Sequence, residues 1–128
     1  MKKHKILIID DDNDMRRAMH IRLRSFGFDT VLAIDGLSAI AVAVKESPDL
    51  ILLDLGLPAG DGFVVMDRLR NNAKLSCIPV IVLTAREVRG NKEKALAAGC
   101  SVFLQKPVDS DNLLAAIQKA LSESGALV

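Results

Sequence analysis

Four aspartates directly follow two short apolar runs of the sequence. Residues 10–12 are all aspartate and come after the run 6–9, and Asp54 comes after the run 50–53. Carboxylates held close together repel one another unless a cation neutralises them. Hard carboxylate oxygens with no His or Cys beside them suit Mg2+, which keeps several waters and takes few protein ligands. In a simpler interpretation, the acidic residues of 10–14 cap the following helix and interact with the positive end of its dipole.

Two pairs of residues later in the chain also follow apolar runs. Thr84 and Ala85 come after the run 79–83, and Lys106 and Pro107 come after the run 101–104. A hydroxyl, a backbone amide and an ammonium around a carboxylate and a divalent cation form a phosphoryl site, because they donate to the phosphoryl oxygens and neutralise their charge. Taken singly, Thr84 is also explained as a strand-end residue bonded to its own loop, and Lys106 as a surface lysine. Pro107 indicates a locked turn, with a cis peptide bond as one form, that fixes the lysine.

These side chains are positioned by a regular alternation of short β-branched runs with helical patterns. The predicted strands are residues 5–9, 29–33, 50–53, 79–83 and 101–104. Almost wholly apolar central strands indicate a parallel sheet between two layers of helices. Right-handed crossovers favour a doubly wound, flavodoxin-like (βα)5 fold of the α/β class, with strand order 2-1-3-4-5. Ligands of such sheets bind beyond the carboxyl ends of the strands, where the polar residues described above lie.

Apolar residues at helical spacing predict which helix faces pack against the sheet. For the first two helices the predicted faces are Met15, Met19, Leu23 and Phe26, and Leu37, Ile40, Ala41 and Val44. The segment 87–98 contains mostly charged residues and alanines, so we expect a loosely held surface helix that ends at Gly99.

The composition is that of one ordinary folded domain. The 128 residues are 50% hydrophobic and 26% charged, which excludes intrinsic disorder. The 17 Lys and Arg against 16 Asp and Glu give a net charge of +1, which argues against nucleic acid as the main partner. No apolar stretch approaches the roughly 18 residues of a membrane span, so we expect neither membrane insertion nor a signal peptide.

The cysteine and aromatic content narrows the function further. Cys77 and Cys100 fit neither a disulfide framework nor a metal site, and we expect both to be small apolar residues in a reducing cytosol. The absence of Trp and Tyr disfavours base stacking, carbohydrate platforms and aromatic cages. The sequence therefore predicts a cytoplasmic protein.

The polar motifs are recognisable when they are taken in their order along the chain. They are the acidic pair after 6–9, the acidic and basic run 12–17, the segment 54–58 leading to Gly60-Asp61-Gly62, residues 83–85, and Lys106-Pro107. Over about residues 5–121 the chain resembles the receiver domain of two-component response regulators, the family of the chemotaxis protein CheY. The resemblance implies a single receiver domain over residues 1–128.

The resemblance implies an acceptor residue and a metal site. Asp54 would be the phospho-acceptor, which attacks the phosphorus of a phosphohistidine on a partner protein. The cofactor would be Mg2+ or Mn2+. Asp11 would bind it directly and Asp10 largely through water, with the Asp54 carboxylate and the Gly56 carbonyl as the other protein ligands.

Four further residues take part in phosphoryl binding and switching by the same resemblance. Thr84, the Ala85 amide and Lys106 would bind the phosphoryl oxygens. Thr84 would also act with Phe103, the switch aromatic that turns inward when the threonine moves toward the phosphoryl group. The alternative role of Phe103 is packing in the core.

The protein would then be a regulatory phosphorylation switch that catalyses only its own phosphoryl transfer and dephosphorylation. Its partners would be a sensor histidine kinase or a histidine phosphotransfer protein, and a downstream output protein or domain. The output surface would lie around the fourth helix, the fifth strand and the fifth helix. The basic residues on and before the fourth helix are either part of that surface or an ordinary solvated face; they are Arg86, Arg89, Lys92 and Lys94.

The sequence departs from the family pattern at three points. Gly56 stands where the family usually has a side chain, so water should reach the phosphoryl group more easily. Phe103 lacks the hydroxyl of a tyrosine, so any switch rests on burial and not on a hydrogen bond. The last helix has Lys119 as its single basic residue, which puts in doubt a dimer of the kind formed by winged-helix transcription factors.

Two other functions and one other site are compatible with parts of the sequence. Asp10-x-Asp12 after an apolar strand fits the opening motif of haloacid-dehalogenase-type phosphatases, although Asp14 stands where that motif has Thr or Val. That hypothesis requires Asp10 as the nucleophile, whereas a receiver requires Asp54. A phosphorylation-independent interaction module is disfavoured by the presence of all the receiver residues. We expect His20 on a solvated helix face and not as a phosphorylated histidine.

Overall fold

The computed structural model describes residues 3–57, 62–85 and 90–124, which form one parallel sheet with helices on both faces. Along these residues the elements are β1 Lys5–Ile9, α1 Asn13–Ser25, β2 Asp29–Ala33, α2 Gly36–Glu46, β3 Leu50–Leu53, α3 Gly62–Arg70, β4 Val80–Thr84, α4 Asn91–Ala97, β5 Val102–Gln105 and α5 Ser110–Glu123. Within these ranges no helix is long and apolar enough to cross a lipid bilayer.

The strand order is β2-β1-β3-β4-β5, and every neighbouring pair is parallel, so the predicted fold is confirmed. The register places Ile9 beside Leu53, and Leu53 beside Val82. The backbone continues this pairing for one more residue, because the Asp54 amide donates to the Ile9 carbonyl at 3.0 Å. The loops after β1 and β3 therefore leave the sheet side by side, at the point where the strand order reverses.

The two faces of the sheet form two separate cores. Leu7 and Ile9 of β1 pack with α2, α3 and α4, while Ile6 and Ile8 pack with α1 and α5. Every residue of β3 and β4 is buried, which is why these strands read as continuous apolar runs in the sequence. Because both faces are covered, hydrophobic burial is the main force that holds the helices on the sheet.

The last two strands begin and end one residue later than predicted. Pro79 has no N–H and joins the sheet through its carbonyl, which accepts from the Ile51 amide at 3.0 Å. Ser101 similarly donates its amide to the Val80 carbonyl at 2.7 Å just before β5 begins. As a result, Thr84 lies inside the ladder, paired with Gln105, and not beyond the strand.

Helix α4 is a short surface helix, as expected, but it covers less of the chain than the predicted segment 87–98. It spans Asn91–Ala97, and residues 87–89 lie outside the described part of the chain. Within α4 only Ala95 is buried. The helix is followed by Gly99 at a φ of 106°, a backbone conformation that glycine adopts without strain.

The predicted packing face of α2 is wrong except at Ile40, which is partly buried and packs against the core. Leu37 is 79% exposed and Val44 is 43% exposed, whereas Ala39 and Ala43 are fully buried. The true face is rotated by about one residue, or about 100°, around the helix axis. The sequence pattern favoured the larger apolar side chains, but small side chains allow α2 to lie close against the sheet.

The two cysteines differ in their surroundings, and the expectation of two similar apolar residues holds only for Cys100. Cys100 is buried, and this burial raises the pKa of its thiol to about 11. Cys77 is exposed, in the segment between α3 and β4.

Helix α3 begins at a glycine that lies against the backbone following β3. The Gly62 amide donates to the Leu55 carbonyl at 3.2 Å. A Cβ at position 62 would lie 2.6 Å from the Leu55 Cα and 2.9 Å from the Asp54 carbonyl oxygen. Both neighbours are backbone atoms, which cannot turn away as a side chain could. The close approach therefore fixes the start of α3 against the chain that leaves β3.

We expect Gly62→Ala to lower the free energy of unfolding by about 2 kcal/mol, because the added methyl group overpacks a backbone contact. Urea unfolding measures this loss. Gly56→Ala is the matched control, since a Cβ there meets its nearest neighbour at 3.4 Å, an ordinary contact. Equal unfolding midpoints for the Gly62 variant and wild type would contradict the packing argument.

Candidate functional site

The loop after β1 gives its aspartates different roles. Asp12 is the N-cap of α1, because its carboxylate accepts from the amides of Asp14 and Met15 at 2.9 and 3.1 Å. Asp10 is 6% exposed, and its Oδ1 accepts from the Asp12 amide at 3.0 Å. Asp11 is exposed. The capping interpretation is thus correct for Asp12, which leaves Asp10 and Asp11 for another role.

Asp10, Asp11 and Asp54 form an acidic cluster at the carboxyl ends of β1 and β3. Each offers one carboxylate oxygen, and these three oxygens lie within 4.8 Å of one another. The donors are hard oxygens of the type that Mg2+ prefers, and Asp11 is open to solvent so that bound waters could be retained. The residues present therefore fit a magnesium ion. The Asp54 side chain is 15% exposed, and its Oδ1 accepts from the Gly56 amide at 2.9 Å.

Lys106 extends from the end of β5 into this cluster. Its Nζ lies 2.9 Å from the Asp10 Oδ2 and 3.6 Å from the Asp54 Oδ2, and its side chain is 14% exposed. Its backbone amide donates to the Thr84 carbonyl at 2.9 Å, which fixes the end of β5 to the end of β4. Lys106 is therefore not a surface lysine. It places one positive charge between two carboxylates that would otherwise repel each other.

The remaining predicted residues lie around the cluster at different depths. Thr84 is 1% exposed at the end of β4, and Ala85 is exposed directly after it. Phe103 is half-buried in β5 and packs against the core on the side of α2, α3 and α4, beside Val82. The peptide bond between Lys106 and Pro107 is cis.

Two arginines of α1, for which the sequence predicts no role, contact the loops of the site. Arg16 donates to the Asp10 carbonyl at 2.8 Å and also bonds the Asn13 side chain. Arg22 donates to the Val108 carbonyl at 2.9 Å. The sequence gives their position on the first helix but does not indicate their acceptors, because every residue has a backbone carbonyl.

Other predicted features lie away from the acidic cluster. Lys92 and Lys94 are exposed on α4, and the Lys94 Nζ lies 4.3 Å above the ring centroid of Phe63, a cation–π contact. Arg86 and Arg89 lie outside the described residues. The predicted solvated position of His20 is wrong, because the side chain is half-buried and its Nδ1 forms a hydrogen bond with the Thr30 hydroxyl of β2.

Comparison with known proteins shows the family to which the chain belongs. Residues 6–118 match the family described as the response regulator receiver domain. The chain is 41% identical over 117 residues to the DNA-binding dual master transcriptional regulator RpaA of Synechocystis, covering 91% of this chain and 48% of RpaA. It is 36% identical over 114 residues to the response regulator PleD of Caulobacter vibrioides, covering 89% of this chain and 25% of PleD.

A solved structure adds an independent likeness. This structure is the receiver domain of a sensor histidine kinase from Pseudomonas aeruginosa, and it has a magnesium ion coordinated in its active site cleft. It is 30% identical to this chain, with a TM-score of 0.87, and the match covers 94% of this chain and 99% of that chain. The protein belongs to the response regulator receiver domain family of two-component systems. It spans half or less of the length of the two relatives described above.

We expect Lys106→Met to lower the free energy of unfolding by about 2 kcal/mol, because the buried Asp10 carboxylate loses its charged partner. Urea unfolding in metal-free buffer measures the loss. Lys92→Met removes an equal charge from the exposed face of α4 and should leave the unfolding midpoint unchanged. If both variants unfold at the wild-type midpoint, Lys106 does not compensate the acidic cluster.

Proposed function

We propose that the protein is a phospho-accepting receiver in which Asp54 takes a phosphoryl group from a phosphohistidine in a Mg2+-dependent reaction. The observation that carries this proposal is the position of the Asp54 carboxylate, beside the carboxylates of Asp10 and Asp11 and 3.6 Å from the Lys106 ammonium. A carboxylate without positive charge beside it would repel the negatively charged phosphoryl group. The donor protein is a histidine kinase or a histidine phosphotransfer protein.

In the transfer, a carboxylate oxygen of Asp54 attacks the phosphorus. The bond from phosphorus to the histidine nitrogen breaks with its electron pair remaining on the nitrogen, and an acyl phosphate forms on Asp54. Asp11 would hold Mg2+ directly and Asp10 largely through water, and the Asp54 carboxylate and the Gly56 carbonyl would complete the protein ligands. When bound, the metal neutralises negative charge on the phosphoryl oxygens.

The remaining groups bind and orient the phosphoryl group. The Thr84 hydroxyl and the Ala85 amide come from the end of β4, and the Lys106 ammonium comes from the end of β5, where it is already beside the acceptor. These groups supply positioning and charge compensation, which are the main requirements of phosphoryl transfer. Phosphorylation exchanges one negative charge on Asp54 for about two, so the demand on these donors increases as the product forms.

The wider function follows from the same proposal. Residues 1–128 act as a single receiver domain with a core over about 5–121, in the cytoplasm. Phosphorylation acts on Thr84 and Phe103 and changes the surface formed by α4, β5 and α5. That surface binds a downstream output protein or domain, without direct contact to nucleic acid. The domain is a regulatory switch that catalyses only its own phosphorylation and dephosphorylation.

We expect radiolabelled acetyl phosphate with MgCl2 to label the wild-type protein but not Asp54→Asn, because the amide is not a nucleophile for phosphorus. Label retained on a gel measures the reaction, and omission of Mg2+ should abolish it. Asp12→Asn is the matched control. It makes the same chemical change at the helix cap, where asparagine also caps well, and should still be labelled.

Peptide mapping of the labelled protein separates the two nucleophiles considered above. Label in the peptide that contains Asp54 supports the receiver. Label in the peptide that contains Asp10, or equal labelling of Asp54→Asn and wild type, would show that the receiver mechanism is wrong and would favour a phosphatase-type nucleophile.

We expect Gly56→Asn to lengthen the lifetime of the phosphorylated protein by about threefold to tenfold, because the new side chain limits the approach of water to the acyl phosphate. A Cβ at position 56 would lie 3.4 Å from the Asp54 Oδ1, so the added amide starts directly beside the acceptor. Loss of label after removal of the donor measures the lifetime. Gly56→Ala, with a smaller side chain, should have a smaller effect. A lifetime equal to or shorter than that of wild type would contradict the proposed role of Gly56.

A further inference from the structure

Arg22 of α1 contacts the turn that carries Lys106. Its guanidinium donates to the Val108 carbonyl at 2.9 Å. Val108 follows Lys106 by two residues and is 86 residues from Arg22 in sequence. Arg22 is half-buried, and it lines a cleft together with Met19, Lys106 and Pro107. The contact therefore connects the first helix of the chain to the turn between β5 and α5.

This turn is fixed at its other end by β4. The Lys106 amide donates to the Thr84 carbonyl at 2.9 Å, and the Val108 side chain packs against the core formed by α1 and α5. The backbone of the turn is thus hydrogen-bonded to β4 at Lys106 and to α1 at Val108. Of these two bonds, the one from Arg22 comes from a side chain and is charge-assisted, which makes it stronger than a neutral bond.

We propose that Arg22 is a positioning residue for Lys106, which it holds in place by fixing the backbone of residues 106–108. The length of the lysine stem limits its reach, so the position of the backbone at residue 106 decides which carboxylates the ammonium can contact. Its Nζ lies between Asp10 and Asp54 at 2.9 and 3.6 Å, and a small displacement would lose one of these contacts. The proposal rests on the proposed function only in its effect on phosphorylation.

The test is a double-mutant cycle between Arg22→Met and Lys106→Met, read by calorimetric titration with MgCl2. The Lys106 ammonium held at Asp10 opposes a second cation at the same cluster. We therefore expect Arg22→Met alone to tighten Mg2+ binding by about threefold, because the ammonium is held less firmly. In the Lys106→Met background the same change should leave the Mg2+ affinity unaltered.

Two further variants exclude a plain effect of charge. Arg24→Met removes an arginine from the exposed side of the same helix, and it should leave Mg2+ affinity at the wild-type value. Arg22→Lys retains the charge and one donor for the Val108 carbonyl, and it should bind Mg2+ as wild type does. Thermal unfolding of each variant checks that the fold is retained.

Phosphorylation provides the second readout. With acetyl phosphate at saturating Mg2+, we expect Arg22→Met to react about fivefold more slowly than wild type, because the ammonium is displaced from the acceptor. Arg24→Met should react at the wild-type rate. The double variant Arg22→Met/Lys106→Met should react at the same rate as Lys106→Met alone.

The proposal is overturned if Arg22→Met matches Arg24→Met in Mg2+ affinity. It is also overturned if the shift in affinity is equally large in the Lys106→Met background, since Arg22 would then act independently of the lysine. A wild-type protein that takes no label from acetyl phosphate would overturn the proposed function. The Mg2+ titrations would still decide the role of Arg22 in that case.

Discussion

The site depends on the ion pairs that the Lys106 ammonium forms with Asp10 and Asp54. Three carboxylates, one of them buried, converge at the end of the sheet, and Asp10 and Asp54 both have an oxygen within 3.6 Å of the Lys106 Nζ. Without a cation, this arrangement would oppose the alignment of β1 and β3, because like charges would be held together where solvent screens them poorly. The lysine compensates the charge of the cluster as it stands, and in the proposed function it would also compensate the charge of an added phosphoryl group.

Much of this arrangement could be predicted from the sequence. Continuous apolar runs in β3 and β4 indicate strands buried on both faces, and the alternation with helices fixes a parallel sheet. In a parallel sheet all carboxyl ends lie at one edge, so residues that follow different strands converge without any knowledge of side-chain positions. Asp10, Asp54 and Lys106 could therefore be grouped from their order in the chain, and the structure brings these three side chains together.

The features that were missed share a physical cause. Arg16 and Arg22 donate to backbone carbonyls, and a carbonyl acceptor has no sequence signature because every residue has one. The packing face of α2 was misassigned because the hydrophobic pattern weighs large side chains, whereas close helix packing there selects Ala39 and Ala43. In both cases the outcome is decided by tertiary contacts, which local periodicity does not record.

The two helices on either side of β5 differ in how firmly they are held, and this difference limits how a change at Asp54 can spread. Helix α5 buries five residues and follows a turn that is bonded to both β4 and α1. In α4 only Ala95 is buried within the described residues, and its C-terminal end is held by the bond from Arg70 to the Gly99 carbonyl. The segment with the least burial rearranges at the least cost in free energy. Under the proposed function, phosphorylation of Asp54 would therefore displace α4 more readily than the turn of Lys106, and the lysine would stay fixed while the surface beside it changes.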